Sequence, residues 1–67
     1  MRPEDWIDVF AERLGVEPPD AATVETLLDL AGVAAHASER TAAPIACYLV
    51  GLAGLDVATA LQRAQDT

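Results

Sequence analysis

Lysine and asparagine do not occur in this sequence, and cysteine, histidine, tryptophan, tyrosine, phenylalanine and serine occur once each. Each scarcity excludes something. With no lysine, the basic residues are four arginines against eleven acids, a net charge of −7. Nucleic acids and anionic membrane surfaces are bound through basic faces, so both are excluded as partners. A single cysteine, Cys47, leaves no disulfide staple. One histidine and one cysteine cannot make the His/Cys set of a structural zinc site, and no metal or other cofactor is expected. No uncharged run reaches the roughly 20 residues of a membrane span. The opening MRPEDWIDVF carries acids where an export signal has an apolar run, which predicts a cytoplasmic protein. No stretch alternates polar and apolar at period two, so no sheet is expected. Lysine and asparagine codons are AT-rich, so their absence fits a GC-rich coding sequence better than any function.

What is present is apolar and helix-forming. Of 67 residues, 52% are hydrophobic, and fourteen are alanine. Alanine favours helix but fills little volume, so a thin core with close helix packing is expected. A chain this short buries a modest fraction of its surface and needs good packing or oligomerisation to be stable. Its centre is Thr41 to Leu55, TAAPIACYLVGLAGL, fifteen residues without a charge. The spacing predicts a buried core helix, with Thr41 as cap, Pro44 in the first turn and Gly54 as stop. Ile45, Leu49 and Leu52 form a stripe of large residues, with Tyr48 beside it. Ala43, Cys47, Gly51 and Gly54 form a stripe of small ones. The small stripe either seats a neighbouring helix of the same chain or makes a homodimer or partner contact. Cys47, in the most apolar segment, reads as a small hydrophobe rather than a nucleophile.

The rest is amphipathic and acidic. Residues 3–14 predict a first helix, opened by Pro3 and closed by Gly15, with Val16 folding back on it. Trp6, Ile7, Phe10 and Leu14 should anchor it in the core, and Asp5, Asp8 and Glu12 should face water. Pro18 and Pro19 stiffen a short linker. Asp20 caps a long helix, 21–39, whose core side is read as Val24, Leu27, Leu28, Ala31, Ala34 and Ala35, widened by Leu30, Val33 and Ala37. Asp56 caps a last helix, 57–65, with Val57, Leu61 and Ala64 inward. A rival reading runs 42–65 as one bent helix. The expected fold is all-α, a compact four-helix domain with short loops spanning residues 1–67 as one unit.

One polar stripe holds the candidate binding residues. Glu25, Asp29, Gly32, His36 and Arg40 succeed one another at spacings of four, three, four and four, on one helix face. Gly32 is a poor helix residue and leaves a notch between Asp29 and His36. His36 is the one histidine and a candidate switch or ligand-binding residue, and Arg40 could hold an anionic group beside it. Their plainer roles are a solvated histidine and a cation suited to the helix C-terminus. Asp29 and His36 stand about 10 Å apart along the axis, too far for one metal ion.

Residues 27–54, LLDLAGVAAHASERTAAPIACYLVGLAG, resemble a small helical domain of uncharacterised function from high-GC Gram-positive bacteria. That domain is found alone or fused behind molybdenum cofactor guanylyltransferase-like proteins. The matching pieces are Leu28 to Ala31, the Val-Ala-Ala-His run ending at His36, Arg40, Ala42 to Pro44, and Leu49 to Ala53, with Trp6 near the start. The family often has proline directly after the arginine, where this chain has Thr41. The resemblance implies an association with molybdopterin nucleotide chemistry. It carries no catalytic signature, and none is visible in the residues: there is no nucleophile and base pair, no paired carboxylates and no phosphate loop. Size and acidity also suit an acyl carrier protein, but the Asp-Ser-Leu that accepts its prosthetic arm is replaced by Asp20-Ala21-Ala22. The expected function is therefore a noncatalytic interaction or accessory module, joined to a second copy or to a molybdenum cofactor nucleotidyltransferase-like protein. The alternative is a small anionic-ligand-binding domain built on Gly32, His36 and Arg40.

Overall fold

Local signals set the chain's course. The structure, a computed structural model describing all of residues 1–67, has four helices and no strand: α1 Pro3–Leu14, α2 Ala21–Ala37, α3 Ala42–Ala53 and α4 Val57–Gln65. Pro3 opens α1 with its pre-set φ. Gly15 closes it at φ 75°, with Gly15 N–H donating to Glu12 and Val16 N–H to Ala11. That reciprocal pair is a Schellman motif. The Asp20 carboxylate accepts from the Thr23 N–H at 2.8 Å and opens α2. Asp56 does the same for α4, accepting from the Thr59 N–H at 2.7 Å and its hydroxyl at 3.0 Å. Gly54 ends α3 at φ 71°, a left-handed conformation that costs an L side chain roughly 1–2 kcal/mol. The bent single helix over 42–65 is thereby ruled out.

Two boundaries differ from expectation. α2 stops at Ala37 rather than 39, because Ser38 leaves helical dihedrals (φ −135°, ψ −101°). Thr41 makes no side-chain cap and is itself helical (φ −67°, ψ −16°). The start of α3 is served instead by a turn, in which the N–H groups of Ala42 and Ala43 donate to the carbonyls of Glu39 and Arg40.

Packing departs further from the sequence reading. α2 is the hub and packs against both α3 and α4, while α1 has no comparable helix partner. Only Ala11, Leu30 and Ala60 are buried, and Leu30, at 1% exposure, is the sole large side chain fully enclosed. α2 buries the side that lies between its two partners. Leu27, Val33 and Ala34 flank Leu30 half-buried, whereas Leu28, read as core, is 68% exposed. α4 turns Val57, Ala60, Leu61 and Ala64 inward.

α3 differs most from the sequence expectation. Read as the buried core helix, it has no buried residue, and Ile45, Tyr48, Leu49 and Leu52 are more than half exposed. A helix apolar on every side needs cover on every side, and α3 packs closely on α2 alone. α1 repeats the pattern on a smaller scale. Its inward side is Ile7 and Ala11, while Trp6, Phe10 and Leu14 are exposed rather than anchoring a core. Small Ala11 is the residue enclosed, and the aromatic rings stack on each other at the flank, centroids 5.0 Å apart. No helix is long and apolar enough to cross a membrane.

Candidate functional site

The residues of the polar stripe are spread over α2 and the turn that follows it. Asp29 and His36 are both exposed on α2, with half-buried Gly32 between them. A Cβ added at Gly32 would meet nothing within 4 Å, so the notch is open. Arg40 does not continue the stripe, because α2 ends at Ala37 and Arg40 stands in the turn before α3. None of the three side chains makes a hydrogen bond or ion pair, and the one salt bridge, Arg2 to Glu4 at 2.7 Å, lies at the exposed start of α1. No group of three His, Cys, Asp or Glu side chains is close enough to hold a metal ion.

The small stripe of α3 divides in two. Ala43 and Cys47 are half-buried with Ala46 and Val50, on the same side of the helix, and since α2 is the helix packed on α3, this is the side that meets it. Gly51 and Gly54 are exposed, and a Cβ at Gly51 would meet nothing within 4 Å.

The marked concavity lies elsewhere. α3 and α4 both lean on α2, and between them opens a groove of about 600 Å³. Leu30, Ala34 and Ala60 are among the residues lining it, as are Ile45 and Leu49 from α3. No lining residue is charged. The groove's polar side chains are the hydroxyls of Ser38, Thr41 and Thr67, and the other lining residues are apolar. It offers apolar surface, suited to another helix. Ile45 and Leu49 belong to both the groove and the exposed ridge of α3. Sequence periodicity found those ridge residues but assigned them to the interior; the signal that they stay uncovered was the sum of apolar area against so short a chain. A smaller hollow lies on α1 at Met1, Trp6, Val9, Phe10 and Arg13.

Two carboxyl groups are held by helix-capping hydrogen bonds. The hydroxyl and backbone N–H of Thr23 hold the Asp20 carboxyl below its usual range. The backbone N–H and then the hydroxyl of Thr59 do the same for Asp56. Both serve helix starts.

Compared with known proteins, residues 2–67 match the family model described as a domain of unknown function, DUF6457, and the chain belongs to that family. No curated protein and no solved structure matches it.

Proposed function

We propose that this family member is a noncatalytic interaction module that works by presenting apolar helical surface to another protein surface. One observation carries the reading. A folded monomer of this mass should expose about 4,000 Å², but the 7.0 kDa chain exposes 5322 Å². The excess, about 1,300 Å², is larger than the roughly 800 Å² each partner loses in a standard stable interface. Part of it lies on α1, at Trp6, Phe10 and Leu14, and part on the exposed ridge of α3, where Ile45, Tyr48, Leu49 and Leu52 stand beside the groove. Contiguous exposed apolar patches of this kind mark interaction sites.

The partner belongs to the same proposal. A second copy and a molybdenum cofactor guanylyltransferase-like protein are the two candidates, the latter resting on the resemblance of residues 27–54 alone. A cytoplasmic location accompanies either. The test is a calorimetric titration of this protein into the guanylyltransferase-like protein of the same organism, with the mass of each recorded beforehand. Saturable binding supports an accessory domain for that enzyme. Absence of heat, with this chain monomeric and stable by itself, refutes the interaction reading.

A further inference from the structure

We infer that a second copy of this chain covers the groove, in a symmetric dimer where each α3 lies between the α3 and α4 of the other copy. The inference rests on the proposed reading of the domain as an interaction module and names its partner and surface.

Three observations support it. The first is area: the excess of about 1,300 Å² over the monomer expectation, shared between α1 and the α3 face, exceeds the about 800 Å² per chain that a stable interface removes. The second is shape. A twofold interface must be self-complementary, the same patch meeting itself. Here the ridge and the hollow are one patch, because Ile45 and Leu49 form the exposed side of α3 and also line the groove over Leu30 and Ala60. With the second copy's α3 seated in the groove, the first copy's α3 is seated in the other groove by the same operation. α3 is twelve residues long, about 18 Å, enough for three turns of contact.

The third is charge. The chain carries −7, and a partner chosen for basic surface would be met by carboxylates. Neither α3 nor the groove lining holds any charged residue. Asp5, Asp8, Glu12, Glu25 and Asp29 are exposed on α1 and α2. Two acidic copies can therefore join through this face without burying a charge, which would cost several kcal/mol if left unpaired. An uncharged surface selects another uncharged surface, and α3 of a second copy is one.

The experiment is sedimentation equilibrium on the full chain, with Leu49→Glu and Trp6→Glu variants. The expected result is a wild-type mass of about 14 kDa, twice the chain's 7.0 kDa. Leu49→Glu should weaken association at least a hundredfold, and Trp6→Glu, on α1, should leave it intact. Because Leu49→Glu could unfold a chain that depends on its partner, intermolecular nuclear Overhauser effects are measured on mixed isotope-labelled wild-type protein. Contacts from the methyls of Ile45 and Leu49 to those of Val33 and Ala34 across copies are expected. A dimer broken by Trp6→Glu but not Leu49→Glu overturns the inference, as does a mass rising without limit or a lone wild-type monomer. In that last case binding to the guanylyltransferase-like protein still decides the broader interaction reading.

Discussion

Leu30→Ala tests the packing most locally. Leu30 is the only large side chain fully enclosed, held where α2 lies between α3 and α4. Removing a buried leucine side chain costs about 2–5 kcal/mol, the upper part of that range coming from closed cavities that cannot relax. Leu30 also borders the groove, so the space left opens to solvent or collapses. The expected loss is therefore at the lower end, about 2–3 kcal/mol. A domain of this length has about 3–10 kcal/mol in total, so the variant should be severely weakened. Urea unfolding followed by far-ultraviolet circular dichroism measures it. With a slope near 1 kcal/mol/M, as for the smallest domains, the midpoint should fall by about 2–3 M. Leu28→Ala is the control, because Leu28 is 68% exposed and should change stability by less than about 0.5 kcal/mol. Equal losses for the two variants, or a larger loss at Leu28, would refute the assignment of the α2 inner face.

Other outcomes follow from the helix ends and glycines. Gly32→Ala should stabilise the protein by about 1 kcal/mol, since α2 gains a better helix former and the new Cβ meets nothing within 4 Å; a calorimetric melt should show the midpoint rising, and a fall would mean that the notch is filled. Gly54→Ala should instead cost about 1–2 kcal/mol, because φ at Gly54 is 71°. Acid should unfold the helices through their caps. The carboxyls of Asp20 and Asp56 have lowered pKa values in the folded protein, so their stabilisation is complete above the unfolded value of about 3.9 and is lost as pH falls through the folded values. The Asp20→Asn, Asp56→Asn double variant keeps acceptors at both caps and should show a shallower acid limb in helix content against pH; an unchanged limb would place the acid sensitivity elsewhere.

The helices were legible in the sequence because their signals are local. Pro3 and Gly15 for α1, Asp20 for α2, Gly54 and Asp56 between α3 and α4 each act within one turn of the backbone, and the structure uses each of them as read. Thr41 was the exception, displaced by a backbone turn that its side chain could not reveal. Which apolar residues would be inside was not legible. Periodicity identifies a stripe but not what covers it. In α2 the reading centred the stripe near Leu28 and Ala31, whereas the positions of α3 and α4 centre it on Leu30. In α3, absence of charge suggests burial, yet a chain with one enclosed large side chain has too little of itself to surround a helix apolar on every side. The polar stripe failed at its end for a related reason. Helical spacing held through His36, but the break at Ser38 removed Arg40 from the face.

Family membership shows kinship without an activity. What the fold contributes is a physical constraint: a thin alanine-rich hub and apolar surface left uncovered. Whether association is needed for stability is then the central matter, and the concentration dependence of thermal unfolding measures it most directly. If the apolar surface is covered by a second copy, a hundredfold rise in protein concentration adds about 2.7 kcal/mol, and the melting midpoint should rise by about 5–10 °C. A cooperative transition at one fixed temperature across that range, from a protein of monomeric mass, would contradict the account, because Ala11, Leu30 and Ala60 would then suffice to hold the fold alone.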